Sequence, residues 1–148
     1  MTSEAAALAV WVDGALVDAG SARVSPFDHG ILTGDGVFET LRVYDGVPFA
    51  WRRHLDRLAH SAAGLGLRLP PAGTLRRAAE EVLSANGFAS ARLRITVTGG
   101  PSPLGSERDD VPPTVIVAAM ALAPVAAAVS VACVPWPRNE RGALAGLK

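Results

Sequence analysis

Lys148 follows Ala143-Leu144-Ala145-Gly146-Leu147, an apolar run of small residues that comes after Pro135-Trp136-Pro137-Arg138-Asn139-Glu140-Arg141-Gly142. Apolar surroundings disfavour the charged form of a lysine. The neutral amine that results is a nucleophile able to form a Schiff base with an aldehyde cofactor. Such a lysine needs a cofactor site elsewhere in the chain, and a phosphate is the handle most readily read from side chains. His54, Arg57 and Ser61 stand at i, i+3 and i+7, one stripe of a helix. A guanidinium fork beside an imidazole and a hydroxyl suits phosphate oxygens. The plainer reading of that stripe is a solvated face with an Arg53–Asp56 ion pair.

A second group lies in Gly34-Asp35-Gly36-Val37-Phe38-Glu39-Thr40-Leu41-Arg42-Val43. On a strand, Phe38, Thr40 and Arg42 share one face, and Glu39, Leu41 and Val43 share the other. Each face of an apolar strand then carries a charge that needs a partner or water. An edge strand with solvated charges would satisfy that need. Ser25-Pro26-Phe27-Asp28-His29-Gly30 reads as a loop, in which His29 either brings an imidazole to a cleft or serves a structural role. Arg138–Arg141 reads as a solvated linker. One cysteine and three dispersed histidines form no close-spaced metal-ligand set. Neither Gly34-Asp35-Gly36 nor Gly99-Gly100 matches a nucleotide-binding fingerprint.

These residues must be held by the surrounding elements. Asp13-Gly14 and Asp45-Gly46 each separate short β-prone runs, which predicts two hairpins, over 9–17 and 37–50. Leu55, Leu58, Ala62 and Leu65 predict a helix over Arg52–Leu67. A second helix is predicted over Thr74–Asn86, with Arg76/Glu80 and Arg77/Glu81 as i,i+4 pairs and Gly87 as its stop. Ala91–Thr98 alternates, with Leu93, Ile95 and Val97 on one face and Arg92, Arg94, Thr96 and Thr98 on the other. A loop through Gly99–Gly105 follows, then two strands, Thr114–Leu122 and Val129–Val134, joined at Pro124. The order predicts an α+β domain, a mainly antiparallel sheet with two helices on one side. The small N-terminal domain is expected over residues 1–134, and residues 135–148 read as an interdomain loop leading into the next domain.

The chain of 148 residues is 49% hydrophobic, enough for a core, and its 14 basic and 14 acidic residues balance. A broad nucleic-acid-binding surface is therefore not expected. Val111–Pro137 carries no charge, but Pro112, Pro113 and Pro124 argue against a membrane span. Cys133 is the single cysteine and Met1-Thr2-Ser3-Glu4 lacks a basic leader, so a cytoplasmic location is expected.

The ordered set of Asp28-His29-Gly30, Gly34-Asp35-Gly36-Val37-Phe38-Glu39-Thr40, His54-Leu55-Asp56-Arg57-Leu58, Ser61-Ala62, Arg138-Asn139 and Gly146-Leu147-Lys148 closely resembles the class IV aminotransferases, pyridoxal-5′-phosphate enzymes of fold type IV. The resemblance covers nearly the whole chain. It implies that Lys148 is the catalytic, cofactor-linking lysine and Arg57 a phosphate-binding arginine, and that residues near Phe38 line the substrate pocket. It also implies a homodimer acting on a small-molecule amine or amino acid. The family runs to roughly twice this length, and the carboxylate that meets the pyridine nitrogen lies beyond Lys148 in it.

The Phe38-Glu39-Thr40-Leu41-Arg42-Val43 wording looks most like the lyase branch. The activity this implies is conversion of 4-amino-4-deoxychorismate to p-aminobenzoate and pyruvate. The alternative is a branched-chain or broad-specificity aminotransferase, and a non-catalytic homologue is a lesser one. D-amino-acid aminotransferases carry an Arg-x-His carboxylate trap after the long strand. Gly99–Gly105 has neither residue, and Arg108, the nearest cation, is the candidate for substrate contact there.

Overall fold

The computed structural model describes residues 8–123, 127–137 and 139–147, so Lys148 and Arg138 lie outside the described residues. Both Asp-Gly pairs make hairpin turns. They join β1 (Ala9–Val12) to β2 (Ala15–Asp18), and β3 (Gly36–Tyr44) to β4 (Val47–Pro48). Asp13 and Gly14 take φ of 46° and 106°, and Asp45 and Gly46 take 49° and 74°. Positive φ at both central residues is what the tight hairpin turn requires, and Asp-Gly tolerates it.

With β5 (Ala91–Thr98) and β6 (Val115–Ala121), these strands form one six-stranded sheet in the order β2-β1-β6-β5-β3-β4, antiparallel throughout. The β3–β5 pairing runs without a break from Gly36↔Thr98 to Val43↔Ala91. Helices α2 (Trp51–Gly64) and α3 (Ala72–Asn86) cover one face. Leu58 and Ala62 of α2 and Leu75, Ala78, Ala79 and Val82 of α3 pack there on Leu41, Val43, Leu93, Ile95, Val97 and Val117. Burying each Leu or Ile contributes about 1.5–3 kcal/mol. The opposite face, carrying Phe38, Thr40, Arg42, Arg92, Arg94 and Met120, has neither helix on it.

Both predicted helices are present with shifted ends. The first stops at Gly64, because the chain turns at Gly66 with φ of +63°. Gly87 ends the second at φ 65°. Both i,i+4 pairs form on α3, Arg76–Glu80 at 2.7 Å and Arg77–Glu81 at 3.7 Å.

Three expectations are corrected. A one-turn helix α1 (His29–Leu32) forms within what reads as a loop, capped by Asp28, whose Oδ1 accepts from Gly30 N–H at 2.8 Å. β3 is flanked by β4 only at Val43 and Tyr44, yet its charges are not both solvated as expected of an edge strand, since Glu39 is fully buried. Val129–Val134 is not a strand, and Val131 is 87% exposed. The segment is β-prone, but no sheet edge here pairs with it, and a strand without a neighbour leaves its backbone groups unpaired.

Candidate active site

Alternation along β3 sends Glu39 into the helix-covered side, where it is fully buried. A buried carboxylate needs compensating donors, and α2 supplies them. Arg57 donates from Nε to Oε1 at 2.5 Å and from Nη2 to Oε2 at 2.6 Å, a bidentate fork. His54 Nδ1 lies 2.7 Å from Oε2 and 3.1 Å from Arg57 Nη2. One nitrogen cannot both donate to the carboxylate and accept from the guanidinium. The ionised carboxylate only accepts, and it is the closer partner, so Nδ1 carries the proton and donates to Glu39. Hydrogen bonding to Glu39 raises the Arg57 pKa above its ordinary value, so this guanidinium stays charged. Ser61, one turn on from Arg57, is buried.

The predicted stripe His54, Arg57, Ser61 is therefore real, but it is not a solvated face. Its first two members, His54 and Arg57, hold a carboxylate from the strand beneath. Arg57 remains 48% exposed, and its Nη1 has no hydrogen-bond partner among the described residues. A fork fixed on one edge and open on the other fits a phosphate group.

Phe38, adjacent in sequence, points to the other side of the sheet. The Arg94 guanidinium carbon stacks 3.7 Å from its ring centroid, while Arg94 Nε donates to Thr96 Oγ1 at 3.1 Å. In register, Thr40 faces Arg94 and Arg42 faces Arg92. Three guanidiniums thus share the open face. None of the residues that the six strands place on that face is acidic. Arg42 stacks on Tyr44 at 5.0 Å, and its Nε is buried with no hydrogen-bond partner among the described residues. Beside them lies a cleft of 580 Å³ lined by Thr40, Arg92, Arg94, Met120 and Leu122. This arginine group was missed in the sequence. Alternation put Arg92 and Arg94 on one face, but their meeting with Arg42 depends on strand register.

Arg108 is elsewhere. Its Nη1 donates to Asp35 Oδ2 at 2.6 Å, and its Nη2 donates to the carbonyls of Leu65 at 3.0 Å and Gly66 at 3.1 Å. It braces its loop against the turn before β3 and the end of α2, and it joins neither the Glu39 clamp nor the open face. His29 is 1% exposed, with Nδ1 3.9 Å from Asp35 Oδ2, so it packs inside this brace and does not line a cleft.

The Amino-transferase class IV model matches residues 36–148, from the start of β3 through Lys148. The chain belongs to the class IV aminotransferase family. Class IV aminotransferases are pyridoxal-phosphate enzymes, and solved relatives are complexed with pyridoxamine 5′-phosphate or N-(5′-phosphopyridoxyl)-L-glutamate. This member is 39% identical over 118 residues to a candidate branched-chain-amino-acid aminotransferase of Methanocaldococcus jannaschii, covering 78% of the chain and 41% of the relative. It superposes with TM-score 0.71 and 31% identity on the branched-chain aminotransferase of the archaeon Thermoproteus uzoniensis with norvaline, covering 78% of this chain and 41% of that one. Against the 4-amino-4-deoxychorismate lyase of Pseudomonas aeruginosa the TM-score is 0.62 with 30% identity, covering 76% and 39%. This class IV chain spans about two-fifths of the length of the relatives it matches.

Proposed function

We propose that this chain is the small-domain portion, residues 1–134, and interdomain loop of a pyridoxal-phosphate enzyme that acts on the amino group of a carboxylate-bearing substrate. The observation that carries the reading is the Glu39–Arg57 clamp. A strand carboxylate fixes two nitrogens of a half-exposed guanidinium and leaves the third for an anion. Arg57 would hold the cofactor phosphate, and Lys148 would link the cofactor. When bound, pyridoxal phosphate supplies an electron sink for charge developing at the substrate carbon. The Lys148 amine would move the proton at that carbon. Glu39 and His54 keep Arg57 from turning away, and Phe38 with Arg94 forms a wall on the substrate side.

Of the finer activities, the open face favours the lyase. Three guanidiniums with no acid among them suit a substrate bearing two carboxylates, as 4-amino-4-deoxychorismate does. A branched-chain aminotransferase is the second reading, supported by the higher similarity to such enzymes and by the apolar side of the cleft at Met120 and Leu122. For Arg108, the candidate for substrate contact, we propose a bracing role in both readings, because Asp35 and the carbonyls of Leu65 and Gly66 engage its Nη nitrogens. A homodimer is part of the proposal, by analogy with the family.

The test is to mix full-length protein with 4-amino-4-deoxychorismate and no keto acid. Continuing release of p-aminobenzoate and pyruvate is the lyase result. Turnover that appears only when an amino donor and a keto acceptor are supplied together moves the reading to the aminotransferase.

A further inference from the structure

Gly64 is the last residue of α2, and its backbone is helical, outside the positive-φ region. Glycine is among the poorest helix formers, so helix propensity does not account for it there. A contact does. A β-carbon on Gly64 would sit 2.7 and 2.8 Å from the two methyl carbons of Leu147. Leu147 is brought to this notch by a run of turns. Asn139 Oδ1 accepts from Arg141 N–H at 3.0 Å, Gly142 carbonyl from Ala145 N–H at 2.9 Å, and Leu144 carbonyl from Leu147 N–H at 3.1 Å. Gly146 takes φ of +88°, a conformation that side chains resist, immediately before Leu147.

Gly64 lies two helical turns after Arg57 on the same stripe, about 10 Å along the axis. One rigid helix therefore carries both the candidate phosphate ligand and the seat for the residue that precedes Lys148 in the chain. We propose that Gly64 is a positioning residue: its missing side chain seats Leu147 and thereby sets where the Lys148 amine meets the cofactor. The inference rests on the reading of Lys148 as the cofactor-linking lysine.

The experiment compares wild type, Gly64→Ala, Leu147→Ala and the double variant in the full-length protein. Alanine restores helix propensity, so the melting temperature of the cofactor-free Gly64→Ala protein is expected to hold or rise. In the same variant, borohydride-trappable attachment of pyridoxal phosphate to Lys148 is expected to slow roughly tenfold, and kcat to fall with KM little changed, as misplacement of a reacting group by a fraction of an ångström would do. The visible absorbance of the bound cofactor should shift. Leu147→Ala empties the notch and should slow attachment as Gly64→Ala does, and the double variant should lose no more than the worse single variant, because both changes break one contact. Wild-type attachment rate, spectrum and kcat in Gly64→Ala overturn the proposal. Additive losses in the double variant, or wild-type attachment in Leu147→Ala, overturn it too. If wild type itself takes up no pyridoxal phosphate, the reading of Lys148 fails. The seat is then judged on the cofactor-free protein by amine acetylation followed by mass spectrometry. Faster labelling of Lys148 in Gly64→Ala supports the seat, and equal labelling rejects it.

Discussion

Arg42 and Arg92 stand directly across from one another on β3 and β5, in register and on the open face of the sheet. Like charges in that relationship repel, at a cost of roughly 0.2–1 kcal/mol. Arg92→Thr should therefore leave the fold as stable as before or up to about 1 kcal/mol more stable. It should also lower kcat/KM for a dicarboxylate substrate by about 1.5–3 kcal/mol, the worth of a charge-assisted hydrogen bond. Thermal melting and steady-state kinetics on matched mono- and dicarboxylate substrates read both effects. Equal losses on the two substrates would take anion recognition away from this pair.

Glu39→Gln keeps the shape of the side chain and removes its charge. With the fork weakened and Arg57 half-exposed, we expect a loss of about 1–3 kcal/mol in stability. Cofactor affinity should fall too, because the guanidinium is no longer held. Urea unfolding together with a pyridoxal-phosphate titration checks this, and unaltered cofactor affinity would mean that Arg57 needs no brace.

Arg57→Ala removes the candidate phosphate ligand and also leaves a buried carboxylate with fewer donors. Cofactor retention should weaken by about 1.5–3 kcal/mol, and the fold should lose stability as well. Arg57→Lys separates the two effects, since it keeps the charge but cannot fork. Its stability should recover more than its cofactor affinity.

Lys148→Ala should abolish borohydride-dependent attachment of pyridoxal phosphate and turnover together. Intact-mass measurement after reduction reads the attachment, and full residual activity would remove Lys148 from the chemistry.

Arg108→Ala should destabilise the protein by about 1–2 kcal/mol, because Asp35 and two carbonyls lose their donor. KM for substrate should change little. A large KM rise with intact stability would return Arg108 to the substrate site.

Local chemistry was legible where it depends on neighbours in the chain. Asp13-Gly14, Asp45-Gly46 and Gly87 carry their backbone requirement in their own residue types, and Leu55, Leu58, Ala62 and Leu65 mark the buried side of α2. The clamp was legible only in parts. Glu39 announced a need for a partner and Arg57 an unexplained place on a stripe. Joining them across 18 residues requires knowing which side of β3 faces α2. The misreading of the Glu39 charge as solvated has the same origin, since the side of β3 that meets α2 follows from its pairing with β5 across the two helices. Val129–Val134 failed differently. Alternation and branching report what a segment tolerates, not whether a neighbour exists to receive it.

That same segment has a consequence for how the chain behaves in solution. Val129, Val131, Val134 and Trp136 are all exposed on a stretch with no charged residue among them, and Met120 is exposed at the end of β6. An apolar, uncharged, β-branched stretch with no strand partner is a template for other copies of itself. Left uncovered, it should make these 148 residues clump as concentration rises, and trimming the chain after Leu122 should keep the sheet and relieve the clumping.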